Sequence, residues 1–187
     1  MGRVDPRTNV SGRDDDNAMI LKDQSYCPAC GAKLTERPLA GEGVVPYCEA
    51  CADYRFPKYN VAVSMVVTDE MTGRILLIQQ YGRPSSVLVA GYVGRGEQAE
   101  QAVVREVKEE TGMTVTGLRF NRTRFFAPSN TLMVNFTAFV GDASALHANE
   151  EIDRWSWFTP EQARENIRPG SLAEEFLTAY LDECGIS

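Results

Sequence analysis

Histidine is almost absent from this sequence of 187 residues: His147 is the single one, in a polar stretch that we expect to be a solvated loop. A mechanism built on a histidine base, or on a catalytic zinc held by histidines, therefore has no support. The sequence also lacks any apolar run that approaches the ~20 residues of a membrane span. Its first residues contain no apolar segment of the kind found in signal peptides. We therefore expect a cytoplasmic protein without a membrane partner.

Basic residues are in the minority. The chain has 19 lysines and arginines against 26 aspartates and glutamates, which gives a net charge of −7. This balance disfavours general binding to nucleic acids or to membrane surfaces. An acidic protein that acted on phosphate compounds would need metal ions to screen its own negative charge. The length and the hydrophobic content of 43% suffice for one folded core with a smaller appended module.

Four of the five cysteines form two C-x2-C pairs, Cys27 with Cys30 and Cys48 with Cys51, separated by 17 residues. Two such turns can present four thiolates in the tetrahedron that a structural Zn²⁺ takes. A disulfide framework and a redox pair are the alternatives, and a cytoplasmic location disfavours stable disulfides. We predict a structural zinc site, because four protein ligands leave no open position on the metal. Cys184 is isolated, and we assign it no role.

Apolar residues at steps of three and four predict an amphipathic helix over residues 98–111. Gly112 follows where a left-handed C-cap residue belongs. Within the helix, Glu106, Glu109 and Glu110 are neighbours on one face, and like charges at that spacing destabilise a helix slightly. A divalent cation would offset this repulsion, and Mg²⁺ uses a few carboxylates together with substrate phosphate oxygens. The alternative is a solvated acidic face without a ligand.

The segment from Gly91 to Met113 resembles the Nudix box, G-x5-E-x7-R-E-U-x-E-E-x-G-U, where U is aliphatic. Every position of the motif is matched, by Gly91, Glu97, Arg105, Glu106, Val107, Glu109, Glu110, Gly112 and Met113. The resemblance implies a Nudix hydrolase, which cleaves a nucleoside diphosphate linked to another group with Mg²⁺ or Mn²⁺. We also expect Glu97 and Arg105 to pair across the loop and the helix.

The placement of the cysteine module directly before this motif resembles the zinc-ribbon NADH pyrophosphatase branch of the family. That resemblance covers about residues 25–185 and implies cleavage of NADH to AMP and reduced nicotinamide mononucleotide. It also implies that the NAD-capped end of an RNA is a further substrate, and by analogy it suggests a homodimer. We expect a disordered tail over 1–22, a zinc ribbon over 23–57 and a Nudix hydrolase domain over 58–187.

A loop at 123–131 departs from the S-Q-P-W-P-F-P signature of that branch, because it reads T-R-F-F-A-P-S-N-T. We expect it to face the substrate. Arg124 is a candidate phosphate ligand, and Phe125 or Phe126 could stack on a base or a nicotinamide ring. Asn130 is a further substrate-binding candidate. The alternative for the phenylalanines is ordinary packing in the core.

The resemblance also implies a set of metal ligands. Glu106, Glu109 and Glu110 would hold Mg²⁺, completed by the backbone carbonyl of Ala90 or Gly91. A further metal-binding carboxylate is expected shortly before the Trp157-Phe158 pair, where Glu151 and the adjacent Glu150 both stand. Glu106 and Glu151 are the candidate general bases, and the alternative for the pair at 150–151 is a plain loop carboxylate.

Strand patterns elsewhere predict a mixed sheet between helices, which is the α+β fold that the resemblance implies. Predicted strands cover residues 61–67, 75–79, 87–90, 114–124, 132–140 and 155–158, and two capped helices begin at Thr159 and Ser171. We interpret the chain as a pyrophosphohydrolase of a dinucleotide such as NADH. The alternatives are another substrate, such as ADP-ribose, FAD or a (deoxy)nucleoside triphosphate, and a nucleotide sensor or zinc-ribbon adaptor without turnover.

Overall fold

The computed structural model describes residues 25–186. The tail predicted over 1–22 lies outside the described residues. The chain divides into two compact units, one that ends at Lys58 and one that begins at Tyr59, and each is described by itself. Within residues 25–186, no helix has the length and apolar character that crossing a membrane requires.

The first unit is a small antiparallel sheet, with strands in the order β1-β2-β3. The strands are β1 (Thr35–Leu39), β2 (Gly43–Cys48) and β3 (Asp53–Tyr54), none of which was predicted from the sequence. Among the described residues of this unit, the buried side chains are Cys27, Val45, Pro46 and Cys48. So small a core cannot by itself offset the entropy of folding, so the unit depends on its cysteines.

The second unit contains six strands and three helices. They are β4 (Asn60–Asp69), β5 (Ile75–Gln80), β6 (Val89–Tyr92), α1 (Ala99–Thr111), β7 (Val115–Phe126), β8 (Thr131–Val140), β9 (Ile152–Phe158), α2 (Pro160–Asn166) and α3 (Leu172–Glu183). The sheet order is β7-β8-β4-β5-β9, and β6 also pairs with β4. The β4–β8 pair is parallel and the others are antiparallel, so the sheet is mixed.

The central strand β4 is buried from Ala62 to Asp69, because both faces of the sheet are covered. On one face, Val103 and Val107 of α1 pack into a cluster with Val63 and Met65. On the other face, side chains of α2 and α3 pack against Val66 and neighbouring strand residues. The fold class predicted from the sequence, a mixed sheet between helices, is confirmed.

Most strand boundaries differ from the prediction by one or two residues, and β7 continues to Phe126, into the stretch expected to be a loop. The strand predicted over 87–90 is found at 89–92, because Val87 forms only an isolated bridge with Ile78. The strand predicted from 155 begins at Ile152, since its earlier residues pair with the end of β5. The predicted cap at Thr159 is confirmed as a capping box. The sequence S-L-A-E at 171–174 also predicts a capping box, in which the Glu174 side chain would accept from the Ser171 N–H. The Ser171 hydroxyl does cap the helix, but the Glu174 carboxylate accepts from Gly170 instead.

Candidate active site

Gly91 brings strand β6 into close contact with helix α1. It pairs with Val63 of β4, so its backbone is held at a fixed place in the sheet. A Cβ atom at this position would lie 2.0 Å from the Cδ atom of Glu106. Only glycine fits here, and the reason is this close approach, since its backbone is not in the left-handed region. The Glu106 carboxyl group is thereby pressed against the β6 backbone.

Arg105 fixes the loop between β6 and α1. Its Nε and Nη2 atoms donate to the two oxygens of Glu97 at 2.8 and 2.9 Å, which confirms the predicted pair. Nη2 also donates to the Tyr92 carbonyl, and the Gly94 N–H donates to Glu97 at 2.7 Å. The contact with Arg105, supported by that N–H, lowers the pKa of Glu97 to about 2. Arg105 is therefore a scaffold side chain.

The three helix carboxylates have different environments. Arg105 Nη1 donates to Glu106 at 2.7 Å and to the more exposed Glu109 at 3.1 Å. Glu110 is only 3% exposed and accepts a hydrogen bond from the neutral amide of Gln80 at 3.0 Å. Burial raises the pKa of Glu110 to about 8, with a further contribution from the negative charge of Glu106. Among the described residues, no cation compensates this carboxylate.

These carboxylates line a cleft of about 600 Å³ in the second unit. Its walls comprise Ala62, Tyr81, Ala90, Gly91, Tyr92, Glu106, Glu109, Glu110, Phe126, Ser129, Thr131, Met133, Glu151 and Leu172. Glu151 reaches the cleft from the segment before β9, and the structure therefore favours it over Glu150. The hydroxyl of Tyr81 donates to Glu151 at 2.9 Å, and this contact raises the pKa of Tyr81.

The loop expected to face the substrate only partly lines this cleft. Phe126 lies in the wall and is 37% exposed, whereas the Phe125 ring packs edge-on against Tyr59. Arg124 forms an exposed ion pair with Glu175 of α3 at 3.2 Å and is not part of the wall.

Asn130, the fourth substrate-binding candidate, adopts a left-handed backbone at the end of a short 3₁₀ turn, a conformation that asparagine tolerates. The cleft is lined by its neighbours Ser129 and Thr131. Thus the structure brings one of the four predicted substrate-binding side chains, Phe126, into the wall.

The donor atoms in the cleft suit a hard divalent cation. Carboxylates from Glu106, Glu109, Glu110 and Glu151 supply oxygen ligands of the kind that Mg²⁺ and Mn²⁺ prefer. The backbone of Ala90 and Gly91 lies in the same wall. The uncompensated Glu110 is itself an argument for a cation, because a buried carboxylate is costly without a positive partner.

The cysteine cluster of the first unit fits a tetrahedral metal. The four sulfur atoms lie within 4.8 Å of one another, with Cys27 to Cys51 at 4.0 Å and Cys30 to Cys48 at 3.5 Å. A zinc ion with Zn–S bonds of about 2.3 Å places its sulfur ligands roughly 3.8 Å apart. All four thiols are free. The Nε of Arg55 donates to the Cys27 sulfur at 3.2 Å and lowers the pKa of that thiol to about 6.

Sequence reasoning missed Gln80, Tyr81 and Tyr92, among other residues that line the cleft or contact its carboxylates. Gln80 is the last residue of β5, Tyr81 follows it in the turn, and Tyr92 is the last residue of β6. They escaped notice because a polar residue at a strand end is ordinary in sequence. The available signal was the Tyr81-Gly82 pair, a turn dipeptide with a bulky residue where asparagine or aspartate is usual.

The fold and the carboxylate-lined cleft are those of a Nudix domain, and comparison with known proteins agrees. The family model of the NUDIX domain matches residues 58–177, so the chain belongs to the NUDIX family. It is similar to the NAD-capped RNA hydrolase NudC of Photobacterium profundum, with 30% identity over 151 residues. That match covers 79% of this chain and 53% of the relative. A second relative of that name, from Haemophilus influenzae, is 29% identical over 172 residues, which cover 88% of this chain and 63% of the relative. The chain thus spans less than two thirds of the length of these relatives.

Solved structures show the same fold at lower identity. A NUDIX hydrolase from Nitrosomonas europaea has a TM-score of 0.58 and 17% identity, and the match covers 87% of this chain and 94% of that chain. An Ap4A hydrolase from C. elegans has a TM-score of 0.55 and 22% identity, covering 66% and 98%. At such identities the likeness concerns the fold alone.

Proposed function

We propose that this chain is a pyrophosphohydrolase that uses Mg²⁺ or Mn²⁺ to cleave the diphosphate of a dinucleotide such as NADH. The observation that carries the proposal is the convergence of four carboxylates, Glu106, Glu109, Glu110 and Glu151, on one cleft. The names of the relatives support a dinucleotide end as substrate. Water would add to one phosphorus, the bridging P–O bond would break, and AMP and a mononucleotide would leave.

Each residue has a role in this proposal. Glu106, Glu109 and Glu110 would hold the divalent ion, together with the carbonyl of Ala90 or Gly91. When bound, the ion neutralises phosphate charge and makes a water molecule more acidic. On the far side of the cleft, Glu151 serves as a further metal ligand or as the base that accepts the proton of the attacking water. Glu106 is the alternative base.

The aromatic side chains of the cleft offer a place for a base or a nicotinamide ring. Phe126 is part of the wall, and stacking on an aromatic face is worth about 1–3 kcal/mol per base. Arg124 forms an ion pair with Glu175, and we do not propose it as a phosphate ligand. We propose that Phe126 contributes to substrate binding and Phe125 does not. A Phe126→Ala enzyme should then show a higher KM, with Phe125→Ala as the neighbouring comparison.

We propose that the first unit is a zinc ribbon and that the second is the catalytic domain. The sequence led us to expect these domains over residues 23–57 and 58–187. Four free thiols arranged for a metal suit a reducing compartment, which supports a cytoplasmic location. The NAD-capped end of an RNA remains a proposed further substrate, and a homodimer stays a prediction from family resemblance.

Product analysis tests the function directly. The protein is incubated with Mg²⁺ and, separately, with NADH, NAD⁺, ADP-ribose, FAD, deoxynucleoside triphosphates and an NAD-capped RNA. Rapid release of AMP and reduced nicotinamide mononucleotide from NADH is the expected result. Preference for another compound would leave the hydrolytic site standing and correct the substrate. Absence of turnover on the whole panel would refute the proposal and favour a binding protein.

Glu→Gln variants separate catalysis from binding. Glu106→Gln and Glu110→Gln should each lower kcat by at least a hundredfold, because each removes a charged oxygen ligand. The matched control is Glu100→Gln, an exposed glutamate in the first turn of the same helix, which should retain wild-type rates. Wild-type rates in all three variants would show that Glu106 and Glu110 take no part in the reaction.

A further inference from the structure

Tyr81 occupies a backbone conformation that tyrosine rarely adopts. Its φ is +56° and that of Gly82 is +68°, and the Arg83 N–H donates to the Gln80 carbonyl at 3.1 Å. Positive φ at both central positions is the pattern of a type I′ turn, where asparagine, aspartate or glycine is favoured first and glycine second. A bulky side chain at the first position is strained. Such strain persists where the surroundings enforce it, often at functional sites.

The surroundings that enforce this conformation come from the start of β9. The Gly82 N–H donates to the Asp153 carboxylate at 2.6 Å, and the Tyr81 hydroxyl donates to Glu151 at 2.9 Å. The pairing of β5 with β9 shifts register between Gln79 and Gln80, directly before the turn. A register shift of this kind changes the direction in which side chains at the end of a strand point. Here the shifted end directs Tyr81 into the cleft.

The residue before the turn completes the arrangement. Gln80 donates to Glu110, the buried carboxylate of helix α1. The last residue of β5 and the first residue of the turn therefore contact two carboxylates that line the same cleft, one from the helix and one from the segment before β9. Among the described contacts, only the hydrogen bond from Tyr81 restrains the side chain of Glu151.

We propose that Tyr81 is a positioning residue, which holds the Glu151 carboxylate in the cleft at the cost of a strained turn. The inference rests on the proposed hydrolytic function. It adds to that function the residue that orients Glu151. Tyr81 need not touch the reacting atoms. Its removal should therefore affect the reaction only through Glu151.

A double-mutant cycle on the whole chain of 187 residues tests this dependence. Tyr81→Phe should lower kcat about tenfold and leave KM within twofold, because the ring stays and only the hydroxyl is lost. Tyr81→Phe added to Glu151→Gln should cause no further loss. Tyr59→Phe, an exposed tyrosine outside the cleft wall, is the matched control. A tenfold loss that persists in the Glu151→Gln background would overturn the inference, as would wild-type kcat for Tyr81→Phe.

A second variant gives a readout that is independent of turnover. Tyr81→Asn also removes the hydroxyl, but asparagine suits the first position of the turn. Its melting temperature should exceed that of Tyr81→Phe by about 2–4 °C, while its kcat should be equally low. A melting temperature below that of Tyr81→Phe would show that the turn is not strained and would contradict the proposal.

Failure of the proposed function can be distinguished from failure of this inference. If the wild-type protein hydrolyses no compound of the panel, the cycle is measured on the dissociation constant of Mn²⁺ instead. If Tyr81→Phe raises the dissociation constant of Mn²⁺ in the wild-type background but not in the Glu151→Gln background, positioning without catalysis would be supported. Unchanged Mn²⁺ binding by an inactive protein would overturn both.

Discussion

Replacement of Gly91 by alanine is the sharpest test of the site geometry. The added Cβ would lie 2.0 Å from Cδ and 2.1 Å from Oε1 of Glu106. Ordinary contact begins at 3.4 Å, so the carboxyl group would have to retreat by about 1.4 Å. Gly91 cannot yield instead, because its strand is paired with β4.

The size of the expected effect follows from metal geometry. Mg²⁺ requires oxygen ligands at about 2.0–2.1 Å in nearly ideal octahedral positions. Displacement of a reacting or ligating group by about 1 Å costs roughly a hundredfold in rate. Gly91→Ala should therefore lower kcat/KM at least a hundredfold, which corresponds to about 2.7 kcal/mol of transition-state stabilisation.

The assay is release of mononucleotide under saturating Mg²⁺, accompanied by thermal unfolding and by titration with Mn²⁺. Gly117→Ala is the control, since it is also a strand glycine outside the left-handed region and its added Cβ would meet Phe139 at an ordinary 3.4 Å. The control should keep wild-type activity. If Gly91→Ala is folded and within threefold of the wild-type rate, the reasoning from close contact to metal geometry is refuted.

Three further predictions concern charge. A lysine in place of Arg105 cannot donate from two nitrogens to the Glu97 carboxylate, so Arg105→Lys should lower kcat about tenfold. An unchanged kcat would contradict the scaffold role of Arg105. In the metal-free protein, the pKa of Glu110 is raised from 4.5 to about 8, so the folded state binds this proton more tightly than the unfolded state. The free energy of unfolding of the metal-free protein should therefore fall as the pH rises from about 4.5 to 8. Mg²⁺ binding at pH 7 should release about one proton, which calorimetry detects as a difference in binding heat between two buffers of different ionisation enthalpy. Arg55→Gln removes the N–H donor to Cys27 and should speed zinc loss to a chelator about tenfold, whereas Arg37→Gln, at the exposed hairpin, should not.

The helix that carries the three glutamates was predictable because its information is local. Helical spacing places Glu106, Glu109 and Glu110 on adjacent positions whatever surrounds them, and Gly112 ends the helix with φ of +70°, as expected. The same holds for the cysteine pairs, whose short spacing forces each pair into one turn. The Glu97–Arg105 pair spans only eight residues and was also within reach of sequence reasoning.

Glu151 was predicted, but the aromatic side chains of the cleft were not predictable, because their direction depends on the phase of strands. Neighbouring residues in a strand face opposite sides, so either Phe125 or Phe126 could face the cleft. The choice depends on the register of β7 against β8, which shifts between Val115 and Gly117 and again between Phe120 and Arg122. A single shift of this kind exchanges the two faces, and the sequence contains no sign of where it occurs. Tyr81 was missed for a similar reason, since a register shift in the β5–β9 pair directs it inward.

The distribution of charge around Arg105 explains why a cation is expected at one end of the helix face. The arginine contacts Glu97, Glu106 and Glu109, so the loop side of the cluster carries its own positive partner. This already offsets part of the repulsion that the sequence led us to assign to a metal alone. Glu110 and Glu151 receive only the neutral donors of an amide and a phenol. Once Glu110 loses its proton, its negative charge and that of Glu151 have no positive partner among the described residues, and a divalent ion bound there would be shared between the two walls of the cleft.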